Sequence, residues 1–215
     1  MENYRATFRE GIKTGAFSTC KNEVFDPHNL ALFTAAVLQG YQDAKRTFKN
    51  IGATWEACGA DSKDAFFTRI AQELQGVFQQ FPEEGFDRWH ENACMLFLQL
   101  LADNGYSSAT YGQAQKVINM AFKYLYCLEG ADNYSHVFEQ CHMPLDSYIL
   151  GYLREECAWK VDTILASDKW SKLNKEDYLR ITTAVFAKCS EMQGDLHYPL
   201  FAEFYIWPQA LAAKQ

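Results

Sequence analysis

Apolar residues recur at helical spacing along most of the chain, and few stretches alternate as strands do. Residues that commonly start or stop helices, such as Asn29, Pro82, the Asn104-Gly105 pair and Asn174, separate these stretches. The pattern predicts helices over residues 29–50, 62–81, 87–105, 111–127, 146–166 and 174–194, the second beginning at Asp61 or Ser62. The aromatic end, residues 195–211, is expected to pack back on the body. We predict an all-α fold of seven to ten helices in one compact domain, or in two packed lobes, over residues 1–215.

The segment 111–127 carries two patterns on one predicted helix. Its apolar residues are spaced to face a core, and they are Val117, Ile118, Ala121, Phe122 and Leu125. Lys116, Asn119 and Lys123 fall at positions i, i+3 and i+7 and form a separate polar stripe. Two interpretations fit this stripe: a solvated surface, or the edge of a pocket.

Composition narrows the possible classes of protein. The seven cysteines include no C-x-x-C pair and the five histidines no helical ligand pair, so we expect reduced thiols in a cytoplasm, no metal site and no cofactor. No apolar run is long enough to span a bilayer, and the N-terminus lacks the apolar stretch of a signal peptide. The net charge of −7 argues against a general polycation, although a local basic surface remains compatible with it. We expect a positive or neutral strip beside the cleft from Lys116, Lys123 and residues of the Lys45–Lys49 segment.

The candidate chemistry lies between residues 87 and 160. Two predicted helices, joined by a short loop from Gly105 to Gly112, suggest a helix–hairpin–helix over about residues 87–128. Lys116 stands one turn into the second helix, and Asp146 follows Pro144 and Leu145 where the next helix begins.

This arrangement resembles the helix–hairpin–helix DNA glycosylase superfamily, and within it the archaeal-type 8-oxoguanine DNA glycosylases, through the stretches "QKVINMAFKY" and "MPLDSYIL". The stretch also resembles bacterial proteins of unassigned function. The resemblance implies a DNA glycosylase with an accompanying lyase activity, in which Lys116 and Asp146 are the catalytic residues. It implies a flipped base in DNA as the substrate, either 8-oxoguanine or a hypermodified phage base, and a role in DNA repair or phage defence. The family's Gly-rich hairpin is replaced here by "YSSATYG", which puts the usual backbone contact to phosphate in doubt.

The chemistry explains why these residue types are needed. Breaking an N-glycosidic bond develops positive charge on the sugar, which a carboxylate stabilises. A neutral lysine amine can then displace the base and form a Schiff base with the sugar. The residues expected to contact the flipped base are Gln115, Asn119, Met120, Tyr205 and Trp207.

Each candidate residue also has a structural interpretation. Asp146 is a good helix N-cap, Lys116 fits an exposed helix face, and the terminal aromatic residues fit core packing. Cys141 and His142 suggest a thiolate–imidazole pair, but adjacent residues rarely face each other. Two alternative functions therefore stay open: a non-enzymatic helical interaction module, and a small-molecule or nucleotide-binding protein. We expect a monomer that binds DNA and no membrane.

Overall fold

The computed structural model describes residues 2–213, which form ten α-helices and no strand, as the apolar pattern predicts. The helices are α1 (Glu2–Gly11), α2 (Leu30–Ala44), α3 (Ile51–Cys58), α4 (Ala60–Gln79), α5 (Phe86–Asp103), α6 (Tyr111–Tyr126), α7 (Ser135–Phe138), α8 (Ser147–Glu155), α9 (Lys175–Ser190) and α10 (Pro199–Ala212). One hydrophobic core runs through them, to which α1 contributes only through the half-buried Phe8. The all-α prediction is therefore confirmed.

Helix α6 lies at the centre of this core, and every one of its residues is buried. Helix α2 packs closely against it because residue 40 is a glycine; an added Cβ there would lie 2.6 Å from the Val117 carbonyl oxygen. Helices α5 and α9 and the short 3₁₀ segment Trp170–Lys172 also pack against α6. Lys116 is 5% exposed and Lys123 is 2% exposed. The interpretation of their stripe as a solvated surface is therefore wrong.

Residues 104–110 connect α5 to α6, and Thr110 rather than a glycine ends this connection. Thr110 and Gln113 form a capping box, in which each side chain accepts a hydrogen bond from the backbone N–H of the other. Gly112 lies inside the first turn of α6, where an added Cβ would be 1.8 Å from the Trp170 carbonyl oxygen. Its N–H donates to the Leu173 carbonyl. The backbone N–H groups of Thr110, Gly112 and Gln113 thus donate hydrogen bonds to acceptors within the chain.

Several boundaries differ from the pattern-based prediction. Helix α4 begins at Ala60, after Gly59, and not at Asp61 or Ser62. The helix predicted over 146–166 ends at Glu155, because the chain turns there and the Val161 N–H donates to the Leu153 carbonyl. Helices α1, α3 and α7 were not predicted; α3 and α7 are short and bury two residues each. Helix α10 packs against α8 and α1, as expected for the aromatic end.

Candidate active site

Lys116 and Asp146 are in direct contact, and both are largely buried. Lys116 Nζ donates to Asp146 Oδ2 at 3.0 Å, with the two side chains 7% and 14% exposed. Asp146 is also the N-cap of α8, since its Oδ1 accepts from the N–H groups of Tyr148 and Ile149, each at 2.9 Å. One carboxylate oxygen thus caps the helix while the other faces the lysine. The capping role and the pairing with Lys116 coexist in one side chain.

The surroundings of Asp146 keep it ionised. Burial alone would raise the pKa of this carboxyl, but the Lys116 ammonium and the N–H groups of Ile149 and Tyr148 outweigh burial and lower it. Asp146 therefore carries a full negative charge at neutral pH. A fixed anion of this kind stabilises positive charge that develops beside it.

The Lys116–Asp146 pair opens onto a cavity of about 340 Å³, here called the reaction cavity. Its charged lining residues are Asp43, Arg46, Lys116, Lys123 and Asp146. Its other lining residues are Phe8, Met120, Tyr124, Tyr148, Trp170 and Trp207. This volume lies within the range of about 300–1,000 Å³ common for small-molecule sites. Met120 and Trp207, both expected to contact a base, are among the walls.

Asp43 is a second carboxylate of the reaction cavity, and no sequence pattern pointed to it. It stands on α2, and its Oδ2 accepts a hydrogen bond from the Tyr124 hydroxyl at 2.8 Å. Burial raises the pKa of Asp43, although the Tyr124 hydrogen bond and the charges of Lys116 and Lys123 oppose the rise. Asp43 therefore holds a proton more readily than Asp146 does. Its position in "YQDAKRTFK" looks like a solvated helix end, which hid this role.

Lys123 forms a second buried ion pair on the same wall. Its Nζ lies 2.5 Å from Glu203 Oε2, and the two side chains are 2% and 0% exposed. The ammonium also lies 4.2 Å from the ring centre of Phe8 and 5.2 Å from that of Trp207. Burial lowers the pKa of Lys123 and raises that of Glu203. Glu203 Oε1 has no hydrogen-bond partner among the described residues, so this pair is poorly satisfied.

Gln115 and Asn119, the amides expected to contact a base, do not line the reaction cavity. Asn119 Nδ2 donates to Gln115 Oε1 and to the Tyr178 hydroxyl, both at 3.0 Å, and Asn119 Oδ1 lies 2.8 Å from His90 Nε2. Gln115 bonds both the N–H and the carbonyl of Leu145, at 3.4 and 3.1 Å. These amides therefore hold the segment that leads to Asp146, and they do not face the cavity.

The remaining candidates lie elsewhere. Tyr205 contacts Tyr4 and Trp159 and does not line the reaction cavity. The Cys141 thiol donates to the Val137 carbonyl, whereas His142 contacts Tyr178 and Asp87, so the two do not face each other. Arg46 is the exposed cation at the cavity. Lys116 and Lys123 are buried in ion pairs, so the expected positive strip is reduced to the segment with Lys45, Arg46 and Lys49.

Between residues 2 and 213 no cluster of three His, Cys, Asp or Glu side chains is arranged to hold a metal ion. Within the same range, no helix combines the length and the apolar character that a membrane span requires. No protein-family model matches the chain, and neither does a curated protein or a solved structure. The resemblance to the DNA glycosylases thus rests on the quoted sequence stretches.

Proposed function

We propose that this protein is a DNA glycosylase that removes a modified base through attack by Lys116. One observation carries the proposal: a lysine and an ionised carboxylate, 3.0 Å apart, stand together at the wall of a cavity large enough for a base. A structural ion pair needs no such cavity beside it. The aromatic walls at Trp170 and Trp207 supply faces on which a flipped base can stack.

The proposed reaction uses groups that all line the reaction cavity. Asp146 accepts a proton from Lys116, whose neutral amine attacks the anomeric carbon of the sugar. The bond from that carbon to Nζ forms as the N-glycosidic bond breaks, and its electron pair leaves with the base. Asp43, which holds a proton more readily than Asp146 does, donates that proton to the departing base. The Asp43 carboxylate then takes a proton from the attached nitrogen, and Asp146 gives its proton to the ring oxygen as the bond from the anomeric carbon to that oxygen breaks, which leaves a protonated Schiff base. The Asp146 carboxylate, ionised again, removes a proton from C2′ while the 3′-phosphate leaves, and this elimination cleaves the strand.

DNA is the proposed partner of a monomer, and the cytoplasm its proposed location. The exposed segment with Lys45, Arg46 and Lys49 stands beside the cavity and suits contacts to phosphate. The amides of Thr110, Gly112 and Gln113 are hydrogen-bonded within the chain, so phosphate contacts fall to side chains. We therefore expect few phosphate contacts and a modest dependence of affinity on salt.

Borohydride trapping tests the proposal. Wild-type protein mixed with DNA that contains 8-oxoguanine or an abasic site, then reduced with borohydride, should give a covalent protein–DNA adduct. Peptide mapping should place the adduct on Lys116 and not on Lys123, which lines the same cavity. Lys116→Gln should abolish the adduct, while Lys175→Gln, at the first position of α9 and outside the reaction cavity, should retain it. Absence of any adduct with these DNAs, with no strand cleavage, would refute the lysine mechanism.

A second candidate is a protein that binds a free nucleotide in the same cavity. The net charge of −7 and the internally bonded amides at the start of α6 favour it, because both limit contact with a long polyanion. Calorimetric titration with nucleoside monophosphates and with single- and double-stranded DNA separates the two. Tighter binding of the mononucleotide than of either DNA would favour this candidate.

A further inference from the structure

A second cavity, of about 450 Å³, lies between α1 and α10 and is here called the α1 cavity. It is separate from the reaction cavity, because the side chains that line both spaces form a packed partition. In that partition the Lys123 ammonium lies 4.2 Å from the ring centre of Phe8 and 5.2 Å from that of Trp207. A ligand of the α1 cavity therefore occupies a site of its own, which the proposed reaction does not use.

The walls of the α1 cavity leave large apolar side chains partly uncovered. Tyr4 is 40% exposed, and Trp207 and Leu211 are half-buried. Phe8 and Phe204 meet edge to face in the same wall, with their ring centres 5.4 Å apart. A planar apolar group that covers these rings removes their surface from water and can add a further aromatic contact. The volume of the cavity is also within the range common for small-molecule sites.

The charged groups of the α1 cavity have one sign. They are Lys13 and Lys123, and no carboxylate is among the described residues that line the cavity. Glu203 already balances the charge of Lys123. Lys13, by contrast, forms no ion pair with any described side chain. In a chain whose net charge is −7, this local excess of positive charge favours an anionic ligand.

The unbalanced cation stands at the mouth of the α1 cavity. Lys13 and Thr14 follow α1 directly, and both are exposed. A lysine ammonium and a threonine hydroxyl can both donate to a carboxylate. The buried amide of Gln39 is already bonded within the chain, since its Oε1 accepts from the Phe17 N–H at 3.2 Å. The polar end of a ligand is therefore expected at the mouth and its apolar part inside.

We propose that the α1 cavity is a binding site for a small aromatic carboxylate. The ring system of the ligand packs against Phe8, Phe204 and Trp207, and its carboxylate accepts hydrogen bonds from Lys13 Nζ and the Thr14 hydroxyl. Charge selects a carboxylate over an amine, because the cavity presents a cation and no anion of its own. The inference goes beyond the glycosylase proposal and does not depend on it, since none of the proposed catalytic residues lines this cavity.

Isothermal titration calorimetry with 2-naphthoate tests the proposal. The neutral 2-naphthylmethanol and the cationic 2-naphthylmethylamine are probes of nearly the same size. The wild type should bind 2-naphthoate about tenfold or more tighter than the alcohol, which cannot form the charge-assisted hydrogen bonds, and should bind the amine least. Absence of 2-naphthoate binding would refute the site. Equal affinity for the three probes would refute recognition of a carboxylate.

Three charge reversals locate the bound carboxylate. Lys13→Glu should lower the affinity for 2-naphthoate by about tenfold or more. Lys172→Glu is the matched control, because Lys172 is exposed and lines neither cavity. Arg46→Glu reverses the exposed cation of the reaction cavity and should retain binding at physiological ionic strength, where distant charges are screened. A larger loss with Arg46→Glu than with Lys13→Glu would place the ligand in the reaction cavity and refute the proposal.

A bulky side chain at Gly11 tests whether the α1 cavity itself holds the ligand. Gly11 lines this cavity and not the reaction cavity, and an added Cβ meets no atom within 4 Å. Gly11→Phe should therefore fold normally, fill part of the space and weaken 2-naphthoate binding by about tenfold or more. Gly52→Phe, at an equally open glycine on α3 that lines neither cavity, should bind as the wild type does. If both variants bind 2-naphthoate equally well, the ligand does not occupy the α1 cavity.

Discussion

Helix α6 carries two rows of buried polar residues that differ in what satisfies them. The first, here called the cavity row, consists of Lys116 and Lys123, which line the reaction cavity with the apolar Met120 between them. The second, the sealed row, consists of Gln115 and Asn119, which bond to the protein itself. Both rows are buried on the same helix. Burial alone therefore does not distinguish a site from its support.

Hydrogen bonding does distinguish them. Each polar atom of Asn119 has a partner in His90, Gln115 or Tyr178, so a ligand has nothing to bind there. In the cavity row, Lys116 has one charged partner and open space beside it. Saturated polar groups fix the position of the chain, while unsaturated ones at a cavity remain available for chemistry. The sealed row thus holds the segment that leads to Asp146, and the cavity row faces open space.

The largest expected effect separates the two functions of Asp146. Asp146→Asn keeps a side-chain oxygen that can accept from Tyr148 and Ile149, and asparagine caps helices about as well as aspartate. Loss of the carboxylate should lower single-turnover excision by about 100- to 1,000-fold. The free energy of unfolding should fall by only about 1–3 kcal/mol, measured by urea titration. Retained excision with a large loss of stability would make Asp146 a cap alone.

The next largest effect concerns the buried pair at the far end of the cavity row. Lys123→Met leaves Glu203 buried without its counter-ion and should cost about 3–5 kcal/mol of unfolding free energy. Lys123→Met combined with Glu203→Leu removes both charges and should recover most of that loss. Urea unfolding of the single and double variants measures both quantities. A double variant no more stable than Lys123→Met would show that packing, and not charge, dominates at this position.

A smaller effect tests the sealed row. Asn119→Ala leaves His90, Gln115 and Tyr178 each short of one buried hydrogen bond, and should cost about 2–3 kcal/mol. Excision by the folded variant should fall less than about tenfold, because Gln115 still holds Leu145. The measurements are a urea titration and single-turnover excision. A loss of excision as large as that of Asp146→Asn would place Asn119 in contact with substrate and erase the distinction between the rows.

The smallest effect is a dependence of stability on pH. Burial and the nearby His142 hold the pKa of His90 well below its ordinary value, so the folded protein keeps His90 neutral. An unfolded chain binds that proton below about pH 6.5. The stability due to neutral His90 is therefore complete above that pH and is lost as pH falls, by no more than about 1.4 kcal/mol per pH unit.

His90→Gln, which keeps a donor for Asn119, should flatten this slope between pH 6.5 and 5. Asp87 does not interfere in this window, because its hydrogen bond with His142 lowers its pKa and places its titration at more acid pH. Urea unfolding at several pH values provides the measurement. An unchanged slope in His90→Gln would assign the acid sensitivity to another group.

The local pattern of apolar and capping residues was enough to predict the class of fold and several helix ends. Periodic apolar residues predicted α2, α4, α5, α6 and α9, and the caps Asn174 and Asp146 stand where their residue types suggested. These features depend on neighbours within one or two turns, so they can be read from the chain directly. A family resemblance in the sequence also predicted that Lys116 and Asp146 act together. In the structure, Lys116 Nζ lies 3.0 Å from Asp146 Oδ2.

Which polar residues of α6 face the cavity was decided by the tertiary structure. Asn119 lies about 60° around the helix from Lys116, close enough for the two to share a stripe in the sequence pattern. Its hydrogen bonds with Tyr178 and His90 nevertheless place it in the sealed row. Lys123 pairs with Glu203, and Asp43 accepts a hydrogen bond from Tyr124 at the cavity. Each of these contacts joins residues about 80 positions apart in the sequence. Helical periodicity reports only whether a face is polar. Whether that face meets water, a buried partner or a cavity depends on distant segments, which only the folded chain brings together.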